Sequence, residues 1–492
     1  MNKGWKSKQY ILPTVLLALY LIFNLILLVG HEMWRDEANV WLIARDMTPL
    51  QLFKEIRYQG HPCLWYLIAM PFAKLGFPFK TLSVLSFLIM GGAAAILSYK
   101  GPFHVITKAV ILLSPMMSYY YPVVARNYCL IACILILLAF FYPKRNEKSL
   151  LYGLLLGLLV QADIIALASA GLISLMWFCE CVMKAIRQKT KEPLLIGVKG
   201  LWIPLVGVIF LALQFVGVSE SPEYRMQILS LGEMLREIKN FSYHILTRMT
   251  GQGTAFDLLL IVLFVLAGLL FFIKSKNMWP AIVMAGAFLF EVVFSIMIYQ
   301  LHIWHYIALC FSLIWCLWVY AEDTNTIKAG RITAEVLLIL LGITMFLRWN
   351  SPQESSSLNN AWNGLYSDGV HTAEYIRGHV GAEELILSTD VVEAATVQAY
   401  LGSDYRFYFA GNGKALTYAS YVEDEKSVIT YEALIEWIKN SFPEKEVFYL
   451  LVSPTNYIEE ISEEVMNRWE LCYQTPQKTA RGEEYLLYRI VL

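Results

Sequence analysis

The residues with the most chemical capacity stand where hydrophobic runs stop. The stretch HEMWRDEANVWLIARD, residues 31–46, follows the apolar run 10–30 and carries Glu32, Arg35, Asp36, Glu37, Arg45 and Asp46. Asp36 and Glu37 form an acidic pair. Such a pair suits general-base chemistry, and equally suits the first turn of an interfacial helix, where carboxylates meet the positive end of the helix dipole. Arg126, in SPMMSYYYPVVARNYCL, lies between two apolar runs. Its guanidinium fork fits an anionic ligand group, although the same residue type snorkels to lipid headgroups. Asp163 interrupts VQADII between two further runs, and charges near membrane depth are functional candidates. In LHIWHY, His302 and His305 have the spacing of one helix face; they read either as phosphate donors or as members of an aromatic interface belt. His61, in QGHPCLW, has the same two readings. No HExxH, DxD or paired His/carboxylate set accompanies these residues, so no metal ligand set or cofactor is indicated.

The elements that must position them are membrane helices. Of 492 residues, 57% are hydrophobic and 16% charged, and mean hydropathy is +0.51. An average soluble protein has about 25% charged residues. Apolar runs fall near 10–30, 82–98, 104–121, 127–142, 149–161, 163–182, 200–218, 255–273, 280–300, 303–320 and 330–348. This predicts a polytopic α-helical membrane protein with about eleven transmembrane helices. The first run is too long for a signal-peptide core, and His31-Glu32 is no small-residue cleavage site, so it reads as a retained anchor. Basic residues fall in alternate linkers: Lys3–Lys8, Lys100 with Lys108, Lys144-Arg145 with Lys148, Lys184 through Lys191, Lys274 with Lys276, and Lys328 with Arg331. By the positive-inside rule the N-terminus is cytoplasmic and the C-terminal domain extracytoplasmic, as expected for a multi-pass plasma-membrane protein.

Two outer loops are long, at 31–80 and 219–253. In the first, HPCLWYLIAMPFAKLG (61–76) is hydrophobic, but counting it as a span would place several basic linkers outside. It is predicted to lie at the interface, with Trp65 and Tyr66 in the aromatic belt. The second reads as an amphipathic helix through Ile228, Leu231, Leu235 and Ile238. The chain is therefore divided into a membrane domain, 1–349, and a C-terminal domain, 350–492, where β-rich runs such as ELILST and EVFYLLVS alternate with helical ones. That pattern predicts a small α/β domain with a mixed sheet. Gly411-Asn-Gly413-Lys414 meets no nucleotide-binding spacing and reads as a turn. The eight cysteines lie mostly in apolar runs and give no disulfide or zinc pattern, Cys179-x-Cys181 included. Net charge of −1, with no basic stripe, excludes nucleic acid as an expected partner.

Together, W-x-D-E-A (Trp34, Asp36, Glu37, Ala38), G-H-P-x-L-W-Y (Gly60 to Tyr66) and Arg126-Asn127-Tyr128 resemble the GT-C integral-membrane glycosyltransferases. The likeness is to the protein O-mannosyltransferase and lipid A aminoarabinose transferase-like branch. It implies a polyprenyl-phosphate-linked sugar as donor, membrane lipids as surroundings, and a glycan, lipid or protein acceptor, with inversion at the anomeric carbon. It also implies Asp36 as general base with Glu37 beside it, and Arg126 on the donor phosphate; His302 and His305 are candidates to join Arg126 there. His61, Tyr66, Tyr128 and Asp163 become candidate substrate-binding residues. The second loop lacks the further acid of metal-dependent members, and Cys63 replaces a proline. Two rival readings stay open: a transporter or lipid flippase, for which no internal repeat is found, and a non-catalytic envelope assembly or sensor protein.

Overall fold

The computed structural model describes residues 3–216, 230–237, 239, 255–274, 277–299, 301–323, 328–347, 362–364, 366–410, 413–419, 430–453 and 469–492. In chain order the first helices are α1 (Lys3–Gly30), α2 (Arg35–Asp46), α3 (Pro49–Glu55), α4 (Leu64–Lys74) and α5 (Thr81–Lys100). Then come α6 (Val105–Leu113), α7 (Tyr128–Phe141), α8 (Ser149–Ala162), α9 (Leu167–Gln188) and α10 (Glu192–Gln214). They are followed by α11 (Ala255–Lys274), α12 (Trp279–Met297), α13 (Ile303–Glu322) and α14 (Lys328–Leu347). The C-terminal part contains α15 (Gly369–His379), β1 (Leu385–Ser388), α16 (Val391–Leu401), β2 (Phe407–Phe409) and β3 (Ala415–Leu416). It continues with α17 (Tyr431–Ser441), β4 (Val447–Val452), β5 (Glu470–Gln474) and β6 (Leu486–Val491).

Six described helical segments are long and apolar enough to cross a membrane: Tyr10–Gly30, Thr81–Lys100, Ile164–Gln188, Glu192–Gln214, Trp279–Met297 and Ile303–Glu322. α4 is not among them. Its 11 residues reach about 16 Å at 1.5 Å each, half a bilayer core. The amphipathic pattern of the second loop and the Gly411–Lys414 turn fall mainly outside the described residues, although 231–237 is helical.

The chain forms two compact units. The first comprises Met1–Leu28, His61–Leu64 and Ser86–Gln353; the second comprises Val29–Gly60, Trp65–Leu85 and Glu354–Leu492. Two early segments, 29–60 and 65–85, thus share a unit with the C-terminal one.

In the first unit, α8 and α10 meet through glycine. A Cβ on Gly153 would run into the Gly200 carbonyl, and one on Gly200 would meet the Trp177 ring and the Ser149 carbonyl. Small residues allow such approach where lipid gives no hydrophobic drive to association. A Cβ added to Gly197 would come within 3.0 Å of Cys181 Sγ, so that cysteine packs over the glycine. The run 104–121 is not one continuous helix: α6 ends at Ser114-Pro115, a π-helical turn covers Met116–Tyr120, and α7 starts only at Tyr128. Pro122, without an N–H to donate, lies in that interruption, and Arg126 follows it.

In the second unit, a six-stranded mixed sheet runs β3-β2-β1-β4-β6-β5. β1 is parallel to β2 and β4, and the remaining pairs are antiparallel. Alternate residues of β1 serve opposite faces. Ile386 packs with Ala373, Ile376, Ala394 and Val397 of α15 and α16, while Leu385 and Leu387 pack with Leu434 and Ile438 of α17. All four residues of β1 are buried, as expected for a central strand covered on both sides.

Candidate functional site

Among the described residues, both units carry buried polar clusters. In the first, three breaks in helix bring His61, Arg126 and Asp163 together. His61 lies just before α4. Arg126 sits in the interruption ahead of α7, and Asp163 ends α8 in extended backbone and caps the next turn by accepting from Ile165 N at 3.0 Å. An Arg126 Nη2 donates to His61 Nε2 at 2.7 Å. Because guanidinium has only donors, that nitrogen is unprotonated and the ring proton lies on Nδ1, donated to Asp163 Oδ2 at 3.0 Å. Asp163 also accepts from Asn127 Nδ2 at 2.6 Å, so three donors converge on one carboxylate. The result is a neutral imidazole between a carboxylate and a guanidinium, fixing both in orientation.

Aromatic rings back this chain. Tyr128 stacks on Tyr121 (5.8 Å), which stacks on Phe311 (5.3 Å), and the Arg126 guanidinium lies 5.8 Å from the Tyr128 ring. His305 Nδ1 accepts from His302 N at 2.9 Å, closing the N-terminus of α13. Its other nitrogen therefore carries the proton and meets Tyr128 Oη at 3.0 Å. Both His305 nitrogens are thus engaged in holding α13 and Tyr128. His302 is partly exposed and stacks on Trp304 at 5.0 Å.

The second unit holds Asp36, Glu37 and Tyr66. Glu37 is fully buried and turned inward: Oε2 accepts from Trp34 N at 3.1 Å and lies 3.1 Å from His31 Nε2. An N3 carboxylate reaching back to the N-cap amide is half of a capping box, so Glu37 fixes the start of α2. Asp36, on the same turn, is half-buried. Tyr66 is buried on α4. Lys80 Nζ donates to the His31 carbonyl, and burial lowers its pKa against the opposing pull of Glu37 and Glu32.

Four acidic residues with defined surroundings were not singled out from sequence as site residues or partners. Glu32 Oε2 accepts from Tyr366 N at 2.8 Å and Ser367 N at 3.1 Å. Glu483 accepts from Arg35 N at 2.8 Å, Ser367 Oγ at 2.7 Å and Thr396 Oγ1 at 3.0 Å. Asp368 Oδ2 accepts from Thr475 Oγ1 at 2.6 Å and Tyr473 Oη at 2.7 Å. Glu291, 2% exposed within α12, feels the charge of Asp163. Only Glu291 had a visible signal, a lone acid inside the apolar WPAIVMAGAFLFEVVFSIM. Among the described residues, no group of three or more His, Cys, Asp or Glu side chains is arranged to hold a metal ion.

The fold is shared with solved structures. ArnT from Cupriavidus metallidurans in the apo state matches over 97% of this chain and 97% of its own, with a TM-score of 0.58 and 13% identity. The same protein bound to undecaprenyl phosphate matches over 99% and 98%, with a TM-score of 0.57 and 13% identity. The chain shares the fold of these ArnT structures. No family model matches the sequence, and no curated protein does. With its apolar helices, the ArnT-like chain is a multi-pass membrane protein.

Proposed function

We propose that this protein is an inverting glycosyltransferase that moves a monosaccharide from a polyprenyl-phosphate donor to an acceptor hydroxyl outside the plasma membrane. The observation that carries the reading is the near-full-length ArnT fold, since one of those ArnT structures holds undecaprenyl phosphate. The alternating basic linkers support an N-terminus in the cytoplasm and a C-terminal domain outside.

The chemistry asks for few groups. The acceptor oxygen forms a bond to the anomeric carbon as the bond from that carbon to the phosphate oxygen breaks, and the electron pair leaves with polyprenyl phosphate. A phosphate leaves readily, so one base suffices, in contrast to the carboxyl pair of glycosidases. Asp36 takes the hydroxyl proton. Arg126, oriented by His61 and Asp163, stabilises the charge gathering on the departing phosphate. Purified full-length protein in nanodiscs, given polyprenyl-phosphate sugars and membrane-derived acceptors, should release polyprenyl phosphate, and Asp36→Asn should abolish that release. Undiminished release by Asp36→Asn would remove Asp36 as base; no release from any donor would remove the reading as a whole.

A further inference from the structure

The N-terminus of α2 is closed from the far end of the sequence. Arg35 is the first residue of α2, and its N–H is one of the donors a helix start leaves without an intrahelical partner. The residue ahead of it is Trp34, whose indole cannot accept a hydrogen bond, and Glu37 is directed to the Trp34 N–H. Glu483 supplies the acceptor instead, across 448 residues of chain. Glu32, just before the helix, returns the arrangement by accepting the Tyr366 and Ser367 amides. Ser367 joins the two halves, because its amide goes to Glu32 and its hydroxyl to Glu483.

The contact continues along one face of α2. Asn39, four residues after Arg35, donates to the Ala419 carbonyl at 3.3 Å and accepts the Ala419 amide at 2.8 Å. The Met33 amide donates to Tyr400 Oη at 3.0 Å, and the Arg481 guanidinium lies 3.4 Å from the Trp34 ring centre. These contacts reach Met33, Trp34, Arg35 and Asn39, on either side of Asp36. A surface that merely needed burial would not match backbone donors one by one with buried carboxylates.

We infer that Glu483 and Glu32 are positioning residues: the C-terminal α/β domain holds the start of α2 and thereby aims the Asp36 carboxylate. This rests on the reading of Asp36 as base. The domain is then part of the transfer machinery, whatever else it binds.

The test uses the full chain in nanodiscs and four variants: Glu483→Ala, Glu483→Gln, Glu32→Ala and Asp36→Asn. Glutamine keeps an oxygen for the Arg35 N–H, whereas alanine leaves that donor without one. Glu483→Ala and Glu32→Ala should lower kcat by about 100-fold, as a misplaced group does, with donor KM within about twofold. Glu483→Gln should recover most of kcat. Amide hydrogen exchange across 33–40 should quicken in Glu483→Ala and return to the parent rate in Glu483→Gln. Normal kcat in Glu483→Ala beside an inactive Asp36→Asn overturns the inference, as does equal damage by alanine and glutamine. Full turnover by Asp36→Asn overturns the base assignment and the aiming role with it. Hydrogen exchange needs no turnover, so unchanged exchange in Glu483→Ala independently overturns the clamp.

Discussion

At the scale of single residues, His61 and Glu291 sit differently toward the charges around them. His61 is fully committed, one nitrogen to Arg126 and one to Asp163. Removing it in His61→Ala takes a charge-assisted hydrogen bond from the guanidinium, worth about 2 kcal/mol. Donor kcat/KM should fall by roughly thirtyfold, and that ratio measured against donor concentration checks it. Asp163→Asn, which keeps an acceptor oxygen for His61, should cost less than His61→Ala in the same assay. Glu291 is the reverse case, since its Oε2 has no hydrogen-bond partner among the described residues. Glu291→Leu should raise the thermal midpoint in detergent, reflecting about 1–3 kcal/mol of relieved desolvation. A rise in stability combined with a loss of transfer is the mark of a group retained for function.

At the scale of elements, the apolar runs other than 104–121, the short α4 and the helical reading of Asp36–Asp46 were legible because periodicity and length are local properties. So was the mixed sheet, apart from the two-residue β3 and the edge strand β5. Its sequence, ELCYQ, lies on the sheet edge with little burial and therefore lacks a hydrophobic signature. Arg126, Asp163 and His61 were each visible as candidates, but the joining of the two charges by the histidine was not, since nothing in QGHPCLW specifies a partner about a hundred residues away. The glycines of α8 and α10 were equally silent, because small residues signal contact only once two helices are paired. Gly153→Leu should separate α8 from α10 and destabilise the protein by about 1–3 kcal/mol. Gly171→Leu, where a Cβ meets nothing within 4 Å, should be neutral in the same thermal-melt comparison.

At the scale of the whole molecule, a cut near residue 350 reflects the charge distribution along the chain, while the compact units follow contacts that a linear reading cannot express. Those contacts have a pH signature. Burial pushes the Glu483 carboxyl up from 4.5 to about 7, against the pull of its donors and of Arg35. In the unfolded chain it ionises near 4.5, so the folded state holds the proton more tightly between there and about 7. Its contribution to stability is therefore complete below 4.5 and is lost as pH rises through about 7, by on the order of 3 kcal/mol. Glu483→Gln carries no ionisable proton. Its thermal midpoint relative to the parent should rise between pH 5 and pH 8, and an unchanged difference would count against burial as the cause.

The long reach from Arg35 to Glu483 also sets a schedule. A ribosome adding about 5–20 residues per second needs roughly 20–90 s to make the 448 residues that separate them. Throughout that interval α2 has been synthesised and its closing acceptor has not. On the proposed clamp, the acid at its start gains its fixed orientation only when Glu483 arrives, so a nascent chain carries no aimed carboxylate while its membrane helices are still being inserted.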